Sequence, residues 1–504
     1  MRLLLALLLL AGPGPAAVAP PTAELADAEA RAMLHVRQEF ERVGRSSPMS
    51  DPALTQAART LAREALLATT EAASGTRNGL AVSEAGGWDP NPRLVLIRSW
   101  PTRTTLEAFL QRTDFTSEPA SHAGLALVAD DDHTVLALLL AERKAVLQPF
   151  PRKIEKAPSR QRLCFELRTP LGRPSIFVTL PSGAVDRLKD VSSRGGTWCA
   201  PVAFQGNGRH ALEVLGDGAD GPEVAAMFSV DVGQVPTTPL AATSLTGPEP
   251  ASPEEARTRL LVRVNALRAS GGVAAVQPDA RLDAVAQAYA ERMATQHFFA
   301  HVSPDGEALP DRLEQAGYAY SSSGENLGMA ASPLAAHAAI EESPGHRKNL
   351  LDPTFEHVGF GLARQSRDGG SEVVLVELLA TPAKTGSDPV ASAYARLTAQ
   401  RAALKLPALQ RNAALEDIAT RQAKAALARD DPRAPDIDSQ VFGALSEART
   451  ASADLYVARD LGALPPSRGL REARYSLVGI GAVRGDSPTY GKGRYWVVVI
   501  YAGQ

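Results

Sequence analysis

Residues 261–290 read LVRVNALRASGGVAAVQPDARLDAVAQAYA, and residues 394–423 read YARLTAQRAALKLPALQRNAALEDIATRQA. In both, an Arg (Arg268, Arg401) precedes a Leu (Leu282, Leu415) by 14 positions. That Leu is followed at the fourth and eighth places by Ala: Ala286 and Ala290, then Ala419 and Ala423. Residues four apart share one helical face, so each segment predicts a helix with a narrow Leu-Ala-Ala packing stripe. Near the N-terminus, Leu54, Ala58 and Ala62 repeat the stripe, with an upstream part that reads two residues shorter.

The downstream ends of the three units also correspond. The first has HAGLAL from His122 and then TVLALLL from Thr134; the second has HVGFGL from His357 and VVLVELL from Val373; the third has LVGIGA from Leu477 and YWVVVIY from Tyr495. Each reads as a Gly-punctuated strand, a polar turn and a second, β-rich strand. His122 and His357 fall at matching places, which favours a role in the fold. Between the first two units, residues 146–233 carry short alternating segments split by Gly, Asp and Pro, the pattern of a small β-sandwich. Residues 234–251 (QVPTTPLAATSLTGPEPA) form a linker by composition. It ends at Ser252-Pro253-Glu254-Glu255, a cap followed by proline that announces a helix. The expected organisation is 20–145, 146–233, 234–251, 252–383 and 384–504.

Met1-Arg2, an apolar run Leu3–Leu10 and small Ala17-Val18-Ala19 read as a secretory signal peptide over 1–19, shorter than the roughly 20 residues of a bilayer span. With no later run of that length, the mature protein is expected to be secreted or periplasmic, without a transmembrane segment. Export gives Cys164 and Cys199 a meaning: in an oxidising compartment they most economically form one disulfide, the alternative being two buried thiols. Closing a loop of about 35 residues would stabilise the fold by roughly 3 to 4 kcal/mol. The charge is near balance, 53 Lys+Arg against 56 Asp+Glu, which argues against nucleic-acid binding.

Five of the nine histidines (His297, His301, His337, His346, His357) lie within 61 residues of the second unit, and residues 358–504 hold none. A structural need for His would have been duplicated with the fold, so the asymmetry points to a site in the middle unit alone. His297 and His301, four apart, could share a helix face, although His297 reads better as structural; Phe298 stands where a zinc-protease motif needs Glu. His337 and Glu341 form an i,i+4 pair expected at a solvated or supporting position. Arg312 and Arg347 are candidates for orienting the cleft loops through carboxylates.

Three segments stand out: HVSPDG at 301–306, GENL at 324–327, and SPGHRKNLL at 343–351, followed by the VGFG strand. With the Arg-bearing first helix they run in an order that resembles the CAP superfamily of cysteine-rich secretory, antigen and pathogenesis-related proteins, in particular its bacterial exported members, across about 255–381. The resemblance implies an α+β fold, a central three-layer α-β-α sandwich at 252–383, flanked here by an all-β sandwich and two degenerate CAP-like units. It implies a cleft lined by His301, Glu325 and His346, with Glu342 the nearest match to a further family carboxylate, and with Asn326, Arg347 and Asn349 in support.

Two neutral imidazoles, His301 and His346, could ligate a divalent metal such as Zn²⁺ and leave positions open for water or ligand. The alternative is a polar, hydrogen-bonded cleft that holds no metal. The favoured functional reading is an exported protein whose central cleft binds a small ligand, lipid-like or a cell-envelope component. A metal-assisted hydrolase acting on envelope or peptide substrates is a second reading, and a structural adhesion protein with an inert cleft a third. No GxSxG elbow, Walker loop or dinucleotide fingerprint is present.

Overall fold

In this computed structural model the Leu-Ala-Ala stripes and the Gly-punctuated strands are two halves of one contact. A Cβ on Gly359 would sit 2.4 Å from the Leu282 carbonyl carbon, and one on Gly361 2.1 Å from that of Ala286. The same approach recurs at Gly479 on Leu415, at Gly481 on Ala419 and Thr420, and at Gly124 on Leu54. The helix backbone rests directly on the strand, so one side needs small residues and the other can carry no side chain. The structure describes residues 22–503 apart from 68–74, 234–248, 368–369, 384–388, 434–436, 459–460, 462–463, 466 and 488. The signal-peptide expectation and most of the linker therefore lie outside the described residues.

The chain divides into two compact units near residue 247. The first contains a four-stranded sheet in the order Met49–Ser50, His122–Ala129, Thr134–Ala141, Arg93–Ser99. The second contains two sheets of the same order: Gln277–Pro278, His357–Arg367, Gly370–Pro382, Tyr320–Ala330, and Gln410–Arg411, Leu477–Ser487, Gly491–Gly503, Thr450–Ala458. In each, the two-residue strand runs parallel to its neighbour, in the registers Met49↔His122, Gln277↔His357 and Gln410↔Leu477. His122 and His357 thus share one place in the fold, as their matched positions suggest. A capping Asp51, Asp279 or Asn412 follows, whose side chain accepts from Leu54, Leu282 or Leu415 N and starts the stripe helix.

Strand alternation sends the two faces of each sheet to different helices. In the last sheet, Val497, Val499 and Tyr501 pack with Tyr394 and Leu397 of helix Pro389–Ala403, whereas Val498, Ile500 and Ala502 pack with Leu415, Ile418 and Ala419 of helix Ala413–Arg429. The first sheet is covered likewise, by Ala23–Arg42 and Thr102–Leu110 on one side and Pro52–Leu67 and Gly75–Glu84 on the other. These are α-β-α layers, the CAP fold.

The first helices of the three assemblies share a stripe as well: Ala28, Ala32, Val36, Phe40; then Ala256, Leu260, Val264, Arg268; then Ala393, Leu397, Arg401. Phe40 precedes Leu54 by the same 14 residues as Arg268 precedes Leu282. The upstream part of the first unit is therefore not two residues shorter; an aromatic stands in the arginine's place and hides the match. Arg268 is fully buried and donates to the carbonyls of Ala274, Leu350, Asp352 and Phe355 at 2.6–3.0 Å. Arg401 does the same for Pro407, Leu470, Glu472 and Tyr475 at 2.6–2.9 Å. Phe40 instead stacks on Phe115, which stacks on Phe109.

Residues 145–232 form a four-stranded and a five-stranded sheet that share one core, including Phe165, Phe204, Val214 and Phe228. Cys164 and Cys199 face each other in antiparallel register and are joined by a disulfide.

Gly361→Ala should cost about 1–3 kcal/mol, because its methyl meets backbone that cannot turn aside. Arg268→Met should cost on the order of 3 kcal/mol or more, since four carbonyls lose their donor in one change. Hydrogen exchange at helix Ala280–Gln296 and at residues 350–358 reads the two effects separately; unchanged protection in either variant would contradict the packing described.

Candidate functional site

Glu325 lies on strand Tyr320–Ala330, where it pairs with Leu378. Its side chain is buried, and each carboxylate oxygen has a partner: Oε1 accepts from His301 Nδ1 at 2.8 Å and Oε2 from Arg312 Nη2 at 2.6 Å. With Nδ1 donating to the carboxylate, the neutral His301 ring carries its lone pair on Nε2. The His301 side chain keeps 24% of its surface accessible, so a ligand can reach it. Arg312 is held by helix Leu309–Gln315 and lies over the Tyr289 ring, 3.4 Å from its centroid. It also donates to the carbonyls of His301 and Glu307. The expectation that Arg312 orients the cleft through a carboxylate is met by Glu325.

His346 sits on helix Pro344–Leu350. Burial pushes its imidazole down to about 4, with the nearby His301 adding in the same direction, so the ring is neutral at ordinary pH. Asn326 and Asn349 knit the strand to this helix: Asn349 Nδ2 donates to Asn326 Oδ1 at 3.0 Å and to the Glu325 carbonyl at 3.4 Å, and Asn326 Nδ2 reaches the His346 carbonyl at 3.5 Å. Arg347 donates to the Glu341 carbonyl at 3.2 Å.

Glu342 is exposed. Its neighbour Glu341 is half-buried and accepts from His337 Nε2 at 2.9 Å and from Arg263 at 3.2 Å. The solvated reading of the His337–Glu341 pair is corrected: His337 is fully buried, and its Nδ1 donates to Glu377 Oε1 at 2.6 Å. Burial alone would drive this imidazole down, but Glu377 and Glu341 outweigh it and push it up to about 9. The same Glu377 accepts from Asn326 Nδ2 at 3.3 Å, which joins the charged network to the cleft. Sequence reasoning missed Glu377. The signal was there, a single carboxylate inside the run VVLVELLA, where it must find a partner. His297 ends helix Ala280–Gln296 in the left-handed conformation, so it shares no helical face with His301.

The same sheet position can be followed through the molecule. The carbonyls of Ala141, Ala380 and Ala502 each accept from the residue just before the Gly-punctuated strand: Ser121, Glu356 and Ser476. Two residues earlier, Leu139, Leu378 and Ile500 pair with Leu94, Glu325 and Ala453 respectively. Only the middle sheet carries a carboxylate there. The next position holds Val95, Asn326 and Asp454.

No group of three or more His, Cys, Asp or Glu side chains that could hold a metal ion occurs among the described residues. Two imidazoles are on offer, and Glu325 is already engaged by His301 and Arg312 at both oxygens. The donor set as arranged does not fit a closed zinc site, which takes four ligands.

Two buried imidazoles shifted in opposite directions give stability a limb on each side of neutrality. His346, lowered from 6.5 to about 4, loses its contribution as pH falls from 6.5 through 4, because the unfolded chain takes up the proton first. His337, raised from 6.5 to about 9, contributes fully below 6.5 and loses its contribution as pH rises through 9. Hydrogen exchange of helices Pro333–Glu342 and Pro344–Leu350 should show both limbs. His346→Gln should flatten the acid limb and Glu377→Gln the alkaline one; limbs that survive both substitutions would contradict the assignment.

The profile of the cysteine-rich secretory protein family, CAP, matches residues 261–378. The uncharacterized protein YkwD of Bacillus subtilis (strain 168) is 32% identical over 120 residues, 24% of this chain and 47% of that protein. The uncharacterized membrane protein YlbC of the same organism is 34% identical over 110 residues, 21% of this chain and 31% of its own length. The chain thus spans less than half the length of either curated relative. A solved extracellular protein containing an SCP domain, from Bacillus anthracis, aligns at 18% identity over 38% of this chain and 68% of that one, with a TM-score of 0.23. The ordered motifs, the layered fold and the matching family profile together make residues 261–378 a domain of the CAP superfamily.

Proposed function

We propose that the chain is an exported protein whose CAP domain binds a small ligand, lipid-like or a component of the cell envelope, through His301 and His346, with Glu325 and Arg312 holding His301 in one tautomer. The observation that carries this reading is the singularity of the site. Three sheets share one topology, and the place of Glu325 is taken by Leu94 and Ala453 in the other two. A carboxylate needed only for folding would have no reason to stand in one sheet of three. The two flanking CAP-like assemblies and the β-sandwich then serve as scaffold or docking surface. Export is supported by the N-terminal leader pattern, by the disulfide, and by the finding that no helix among the described residues is long and apolar enough to cross a membrane.

In chemical terms the cleft offers an imidazole backed by a carboxylate, beside the neutral imidazole of His346. Such a pair accepts a hydrogen bond from a hydroxyl or amide of the ligand and returns one from the other ring. The His301–Glu325 bond also supports a second reading, in which His301 is a general base toward water. No GxSxG elbow accompanies it.

Incubation of the full chain with a bacterial envelope extract, followed by mass spectrometry of what co-purifies, should show compounds enriched by the wild type and lost from His301→Ala/His346→Ala. Equal recovery by both would remove the cleft from the function. Glu325→Gln should weaken retention about tenfold, as expected for a lost charge-assisted hydrogen bond of about 1.4 kcal/mol or more. Calorimetric titration with Zn²⁺ tests the metal separately: heat in the wild type that vanishes in the double variant would support it. Turnover of an envelope or peptide substrate that disappears in Glu325→Gln would favour the hydrolase instead.

A further inference from the structure

Helix Ala280–Gln296 turns a second face toward the segment that ends in helix Leu309–Gln315, and between them lies a cavity of about 490 Å³. Its wall on the first helix consists of Arg281, Ala284, Val285, Ala288, Tyr289 and Arg292, spaced so that they form one stripe. The apolar middle is short-chained and Ala284 and Ala288 are exposed, while a guanidinium stands at each end, about 16 Å apart at 1.5 Å per residue. Arg312 closes the other side. The volume falls within the range of small-molecule sites.

The charges in this cavity are unequally matched. Arg292 is neutralised by Asp305 and Glu307, at 2.6 Å each. Arg281 has no carboxylate partner among the described residues; its guanidinium lies over the Tyr318 ring, 4.7 Å from the centroid. Arg312 is more than nine-tenths buried and spends Nη1 and Nη2 on His301, Glu307 and Glu325, yet its Nε is buried with no hydrogen-bond partner. Glu307 also lines the cavity and would repel a second negative charge on a guest. The complementary guest has an apolar body and a single negative charge on oxygen.

We propose that this cavity is a second binding site, beside the His301–Glu325–His346 cleft and sharing Arg312 with it, for a small organic carboxylate with a compact apolar body. The body covers Ala284, Val285 and Ala288, and the carboxylate pairs with Arg281. The ligand is a monocarboxylate, and a neutral or cationic analogue of equal size binds less well. The proposal does not depend on the cleft reading.

Calorimetric titration of the full chain with 3-phenylpropionate, 3-phenylpropanol and 3-phenylpropylamine tests it. The carboxylate should bind with a Kd of about 1 mM or tighter, near −4 kcal/mol, with the alcohol and the amine at least about tenfold weaker. Ala288→Trp, at an exposed position, should fill the cavity and abolish binding. Arg281→Glu should weaken the carboxylate about tenfold or more, and Arg281→Gln by less. Circular dichroism checks that each variant is folded. His301→Ala/His346→Ala should bind 3-phenylpropionate as the wild type does, which separates failure here from failure of the cleft reading. No heat from the carboxylate, equal affinity for all three probes, or undiminished binding by Ala288→Trp would each overturn the proposal.

Discussion

A guanidinium sealed from water must find acceptors, and Arg268 finds four, all of them backbone carbonyls. One of these precedes the short parallel strand and three follow the SPGHR helix, so a single side chain ties the first helix to both borders of the cleft domain. The bonds are charge-assisted and the carbonyls belong to irregular segments that no sheet or helix would satisfy. Arg401 repeats the arrangement, with one carbonyl again six residues beyond the Arg and three more in the same relative spacing, which marks it as part of the architecture and not of the chemistry. In the first assembly the problem is solved differently, by stacking Phe40, Phe115 and Phe109 into an apolar plug.

On this frame the helix–strand contact sets the spacing of everything else. Because Gly359 and Gly361 let helix Ala280–Gln296 rest on the strand backbone, the end of that helix delivers the 297–308 loop, and His301 with it, to the strand bearing Glu325. Arg312 then fixes the carboxylate from one side while stacking on Tyr289, itself a residue of the stripe helix. Placement of the cleft and packing of the core therefore share residues, and neither is adjustable alone.

Much of this was legible in the sequence. Local periodicity carried the stripe helices, the hairpins and their repetition, and the ordered motifs carried the identity of the middle domain and the His301–Glu325 partnership. What escaped were the partners of buried charge. His337 read as half of an i,i+4 pair at a solvated or supporting position because its second carboxylate, Glu377, lies 40 residues away on another strand. The equivalence of Phe40 and Arg268 escaped because two chemically unlike side chains fill one volume. Glu342, the nearest match to a further family carboxylate, is exposed, whereas Glu341 turns to His337 and Arg263; the two are alike by type, and only the phase of the helix separates them.

The register opposite Leu378 and its counterparts accepts a carboxylate, a leucine or an alanine without change in strand order or pairing. Chemistry and scaffold are in that sense separable, and the position behaves as a socket. A lineage carrying three such sockets can lose two of them by drift and keep every fold intact. The same tolerance gives a designer a place to install a charged group in Leu94 or Ala453, provided that a guanidinium is brought in to meet it.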